Sequence, residues 1–98
     1  MRLTFHPQAR DEFVAAADYY ESAVPGLGNR FLLSVRRATN LALMHPDAGT
    51  ARAAVARRIL VHGFPYDVIY RVRGEELEVL AVAHQHRRPG YWRDRLPG

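Results

Sequence analysis

The chain has 98 residues, 48% of them hydrophobic and 24% charged, a length and balance that fit one globular domain spanning residues 1–98. Its formal net charge of +4 comes from 14 arginines and no lysine against 10 acidic residues, an excess that favours an anionic partner without specifying it. The absence of cysteine excludes disulfides, thiolate metal sites and a cysteine nucleophile; no apolar run is long enough to span a membrane, and the first residues do not read as a secretory signal, so a cytoplasmic protein is expected.

Arg2-Leu3-Thr4-Phe5 alternates polar and apolar and reads as a short strand, with Pro7 placed to open a helix. Ala9, Phe13, Ala16 and Tyr20 then recur at helical spacing, while Arg10, Asp11, Glu12, Asp18 and Glu21 mark the other faces of an amphipathic helix. Val24-Pro25-Gly26-Leu27-Gly28 is dense in helix breakers and predicts a tight connection to a second, antiparallel helix over about 29–44. Its stripe of Leu27, Phe31, Val35, Ala38 and Ala42 is widened by Leu32, Leu33, Leu41 and Leu43, which suits burial on more than one side or a partner. His45-Pro46 ends it, because proline removes a helical donor and restricts the residue before it. Residues 46–56 show no period and are expected to form a loop.

Three strands follow, over 57–62, 66–73 and 77–84, separated by Gly63-Phe64-Pro65 and Gly74-Glu75-Glu76, which predicts an antiparallel meander. In the middle strand Tyr66, Val68, Tyr70 and Val72 alternate with Asp67, Ile69, Arg71 and Arg73, so the helices are expected to cover the first face. The second face, with Asp67, Arg71 and Arg73, reads either as an anion-binding surface or as a solvated outer face. Of Arg57 and Arg58 only one can share that face, since strand neighbours point opposite ways. Residues 85–98, rich in arginine with Tyr91 and Trp92 among them, read as an irregular basic tail lying on the sheet, either as a lid or as a stacking platform.

His84 and His86, followed by Arg87 and Arg88, form the densest polar cluster. Imidazole can exchange protons near neutral pH and arginine can stabilise phosphate charge, so a ribonuclease could be built there. A metal site lacks a ligand set beyond these histidines, His62 and scattered carboxylates, and none is expected. Ser22 and Ser34, the only serines, fall in helices, away from the sharp turn a hydrolase nucleophile needs. No cofactor motif is present.

The order strand, two helices, three-stranded meander is accompanied by specific stretches: Ala17-Asp18-Tyr19-Tyr20-Glu21, Gly26-Leu27-Gly28-Asn29-Arg30-Phe31, His45-Pro46, Arg57-Arg58-Ile59, Phe64-Pro65-Tyr66-Asp67-Val68-Ile69-Tyr70 and Ala81 to Trp92. In this order the chain resembles the RelE/ParE superfamily of bacterial type II toxin-antitoxin toxins, over nearly its whole length. The resemblance implies an α+β fold and a growth-inhibiting toxin, associated with plasmid stabilisation and neutralised by a cognate antitoxin encoded by an adjacent gene. Operator DNA would be reached only through that antitoxin. The ParE-like branch, which inhibits DNA gyrase without known catalytic residues, is the nearer one, because lysines are missing and Asp67 stands where related ribonucleases place an arginine. Arg58, His84, His86, Arg87, Trp92 and Arg95 would then contact the target. The alternative is a RelE-like endoribonuclease that cuts mRNA on the ribosome, with Arg58 and Arg87 stabilising phosphate charge and His86 as acid or base.

Overall fold

The computed structural model describes residues 1–53 and 55–97. Its elements are β1 (Arg2–Phe5), α1 (Pro7–Ala23), α2 (Leu27–Met44), β2 (Thr50–Ala53), β3 (Ala56–Leu60), β4 (Tyr66–Arg73) and β5 (Glu76–His84), followed by a 3-10 turn at Arg93–Arg95. The strands form one sheet in the order β1-β5-β4-β3-β2. All pairs are antiparallel except β1 with β5, which run parallel from Arg2↔Glu76 to Phe5↔Val79.

Local chemistry starts and stops the helices where the sequence indicates. Pro7 opens α1, and the His6 Nδ1 caps it by accepting from the Gln8 N–H at 3.1 Å. The hairpin is tightened from α1: Glu21 accepts from the Gly26 N–H at 3.0 Å and from the Gly28 N–H at 3.0 Å. A carboxylate thus supplies the cap that Gly26, in the left-handed region at φ 88°, cannot provide with a side chain. At Gly28 the helices nearly touch, since a Cβ there would lie 2.7 Å from the Ala17 carbonyl oxygen.

The helices cover one face of the sheet. Phe31, Val35, Ala38 and Ala42 of α2, with Ala9 and Ala16 of α1, are buried against Val68, Tyr70, Leu77, Val79 and Val82. Phe31 is the hub, with ring centroids 6.1 Å from Phe13, 5.3 Å from Tyr20, 5.1 Å from Phe64 and 5.1 Å from Tyr66. The opposite face carries a second core of Ile69, Leu80, Ala81 and Ala83 under Trp92, with Tyr91 and Leu96 at its margin. A bulge makes this possible: Ile69 pairs with Ala81 but Tyr70 with Val79, so Leu80 is the extra residue. Leu80 and Ala81 both join the tail-side core, and the alternation of β5 shifts phase between Val79 and Val82.

The expected loop over 46–56 contains a strand. Tyr70, fully buried, donates its hydroxyl to the Pro46 carbonyl at 2.7 Å and accepts from the Gly49 N–H at 3.2 Å. Arg57 donates to the Gly49 carbonyl at 2.8 Å. A Cβ on Gly49 would meet the Arg58 carbonyl oxygen at 2.8 Å, so only glycine lets the chain run this close. These contacts deliver Thr50–Ala53 to the edge of β3 in the register Thr50↔Arg58. Backbone pairing makes this strand, and an edge strand of Thr, Ala and Arg shows no side-chain period to read. Other boundaries differ slightly: α2 begins at Leu27, β3 ends at Leu60 and β5 begins at Glu76, while β4 matches its expected span.

Candidate functional site

The charged face expected on β4 and β5 is divided. Arg71 pairs with Glu78 at 2.8 Å and Arg73 with Glu76 at 3.8 Å. Glu78 neutralises Arg71 across the strands, whereas Glu76 is shared between Arg73 and Arg2, the latter at 2.7 Å, so the face carries no concentrated cluster of free arginines at this end. Unpaired positive charge gathers farther along the same face, where the tail crosses the sheet.

There a concave pocket of about 380 Å³ is lined by the guanidinium-bearing side chains of Arg52, Arg58, Arg87, Arg88 and Arg93, with Asp67 as its one carboxylate. Arg52 comes from β2, Arg58 from β3, and Arg87 and Arg88 from the turn after β5. Ile69, Ala83 and Trp92 supply its apolar lining. Asp67 is only 7% exposed and is held by Arg58 Nη1 at 3.4 Å and by Gln85 Nε2, which donates at 3.2 Å. The carboxylate is therefore committed internally, and it fixes Arg58 at the pocket wall. The Arg87 guanidinium lies 3.9 Å from the Tyr91 ring centroid, which orients its donor fork at low entropic cost. An array of this kind binds phosphate or carboxylate groups.

The expected site residues are brought together only in part. Arg58, Arg87, His84 and Trp92 line the pocket. Trp92, however, is 4% exposed and packs on Ile69, Leu80, Ala81 and Ala83, so it is a lid residue and no stacking platform. The Arg95 side chain is 6% exposed and pairs with Glu12 at 2.9 Å. With the tail in place Arg95 is therefore held at the sheet edge and is not displayed on an open surface. His84 stacks edge-on against Tyr66 at 5.1 Å, and its Nδ1 accepts from the His86 N–H at 3.0 Å. His86 is exposed, touches His84 at 5.1 Å and does not line the pocket. The proposed ribonuclease trio of Arg58, His86 and Arg87 is thus not assembled around one cavity.

Sequence reasoning missed Arg52, which sits in the stretch expected to be a loop, and it missed Glu12. The signal for Glu12 was present: it lies three residues after Ala9 and four before Ala16, both buried, so a carboxylate stands beside the apolar stripe. Among the described residues no group of three His, Asp or Glu side chains is arranged to hold a metal ion, and no helix is long and apolar enough to cross a membrane.

Three tyrosines, Tyr91 at the pocket and Tyr20 and Tyr66 at the helix-side core, ionise above their usual range. Burial, then the hydrogen bond to Glu12 and its charge, pushes the Tyr91 phenol far up. Burial, followed by neighbouring phenols, raises Tyr20 and Tyr66, with Glu12 adding to Tyr66. The folded chain therefore keeps protons that the unfolded chain loses near pH 10.0. Stability from these groups is complete below that pH and declines as pH rises through the folded values. The melting temperature is expected to fall above about pH 10, less steeply in Tyr91→Phe; an unchanged slope in that variant would show that Tyr91 contributes nothing.

A family model described as the ParE toxin of type II toxin-antitoxin system, parDE, matches residues 3–89, from β1 to the turn that carries Arg87 and Arg88. The chain belongs to the ParE toxin family. It is 32% identical over 89 residues to Toxin ParE2 of Mycobacterium tuberculosis, in both strain CDC 1551 / Oshkosh and strain ATCC 25618 / H37Rv, covering 90% of this chain and 85% of each relative. In fold it is similar to a chain of the chromosomal ParDE TA system from P. aeruginosa, with a TM-score of 0.73 at 18% identity over 86% of this chain and 95% of that one. This ParE-family member is a type II toxin with an α+β fold. The toxin-antitoxin setting implies an antitoxin partner. The family match ends at Pro89, so Tyr91 and Trp92, which line the pocket, and Arg95, which pairs with Glu12, lie beyond it.

Proposed function

We propose that this toxin arrests growth by poisoning DNA gyrase in the cytoplasm, and that the arginine pocket contacts the target. One observation carries the reading: five guanidinium side chains line a concave site whose single carboxylate is already paired. Among the described lining residues His84 is the one imidazole, and its Nδ1 is already engaged by the His86 N–H at 3.0 Å, which suits binding without catalysis. A gyrase-DNA complex offers both acidic side chains and phosphates to such a site. The endoribonuclease reading is less well supported, because His86 stands outside the pocket that holds Arg58 and Arg87.

The antitoxin, encoded by an adjacent gene in this reading, has a separate place to dock. Leu33, Leu41 and Met44 lie on one exposed face of α2, at spacings of eight and three. An amphipathic segment that folds on binding would cover such a stripe.

Purified gyrase incubated with plasmid DNA and rising amounts of the toxin is expected to lose supercoiling activity and accumulate protein-linked, cleaved DNA. Unimpaired supercoiling at an excess of toxin that still arrests growth would overturn the gyrase reading, and mRNA cleavage on ribosomes would then be measured.

A further inference from the structure

β1 covers β5 only as far as Val79, where the His6 N–H donates to the Val79 carbonyl at 2.9 Å. Beyond it two side chains take over the edge. Glu12 of α1 accepts from the Val82 N–H at 3.0 Å, and Arg95 of the tail donates to the Leu80 carbonyl at 2.9 Å. The same two side chains meet in a two-pronged ion pair, with Arg95 Nη1 donating to Glu12 Oε1 at 3.0 Å and Nη2 to Oε2 at 2.9 Å. Tyr91 donates its hydroxyl to Glu12 Oε2 at 2.7 Å. One carboxylate thus gathers a strand N–H, a phenol and a guanidinium, and every tail group it holds flanks Trp92 and Arg93.

We propose that Glu12 is the positioning residue of the arginine pocket: it holds the tail at Tyr91 and Arg95 and so sets the wall formed by Arg87, Arg88 and Arg93. This rests on the pocket being the target-contact surface. The coupling is direct, since Arg87 lies on the ring of Tyr91, whose hydroxyl Glu12 holds, and Arg93 packs on Gly90 next to it. The pair is well shielded, with side chains 6% and 17% exposed, so losing one partner leaves the other buried without compensation. Local release of the tail is the expected response, because the helix-side core contains no tail residue.

The protein has a single tryptophan, and it sits between the two clamped residues, so its fluorescence reports whether the tail is seated. The test uses the full chain with Glu12→Gln, Arg95→Met and the double substitution. In Glu12→Gln the amide nitrogen faces donors that the carboxylate accepted from. Trp92 emission is expected to move to the red and its quenching by acrylamide to rise, while far-ultraviolet circular dichroism is retained. Growth arrest at equal expression is expected to weaken by about tenfold to a hundredfold, the cost typical of removing an orienting partner. The double substitution should be no worse than the more severe single one, as for two residues acting through one contact. Growth arrest is scored instead of gyrase inhibition, so the outcome stands whichever target the toxin has. A shielded Trp92 in both single variants overturns the proposal, and so does a released tail with undiminished growth arrest. Loss of the circular dichroism signal in both would also overturn it, by showing that the pair holds the whole domain.

Discussion

Replacing Arg87 and Arg88 by glutamate is expected to abolish growth arrest while leaving the fold intact. Both side chains are exposed in the turn after β5, and neither holds a carboxylate among the described residues. Their substitution removes two donor forks from a pocket that has five arginines, and adds two carboxylates where one paired carboxylate stood. A hydrogen bond to a charged group contributes about 1.5–3 kcal/mol, so losing two costs about 3–6 kcal/mol, on the order of 10²–10⁴ in affinity. The stabilising loss is small by comparison, since stacking of an exposed arginine on tyrosine is worth about 0.5–1 kcal/mol. Plating efficiency under induction should rise by at least about a hundredfold, with a melting temperature close to that of the parent. Unchanged toxicity in this variant would remove the pocket from target recognition altogether.

The largest loss of stability is expected from Phe31→Ala. Phe31 is fully buried and stands among Phe13, Tyr20, Phe64 and Tyr66, which join α1, α2 and the turn between β3 and β4. Truncating a buried phenylalanine costs about 3–5 kcal/mol, because the rings around it cannot all collapse into the space. Small domains have only about 5–15 kcal/mol in total, and for one near 100 residues each kcal/mol moves the midpoint by about 4–8 °C. A fall of roughly 15–30 °C is therefore expected by circular dichroism. Leu33→Ala on the exposed face of the same helix, 49% exposed, is the control and should shift the midpoint little. Comparable shifts in the two variants would show that the hairpin is not packed on Phe31.

The unequal legibility of the sequence follows from what each element buries. Helices α1 and α2 and strand β4 face one continuous core, so their apolar residues recur with the period of the element. Breakers at Pro7, Pro25-Gly26 and His45-Pro46 punctuate them, and the boundaries lie within about two residues of expectation. The ParE family resemblance was legible partly for a related reason: two of its stretches, Gly26 to Phe31 and His45-Pro46, sit at these punctuated junctions, where backbone geometry restricts the residue. By contrast β2 buries nothing regular. It exists because Tyr70 and Arg57 hold residues 46–49 beside β3, and no local period records that.

Sequence by itself determined the element order apart from β2, the helix-covered face of β4, the basic character of the tail and the family. Tertiary structure decided that Asp67 binds Arg58, that Glu78 neutralises Arg71 across strands, and that five arginines line one pocket. It also decided that Arg95, 83 positions from Glu12, is a buried clamp and that Trp92 is a lid. Periodicity reports which side of an element avoids water, one element at a time. Whether an arginine is free to bind a partner depends on the carboxylate that folding brings to it from elsewhere in the chain.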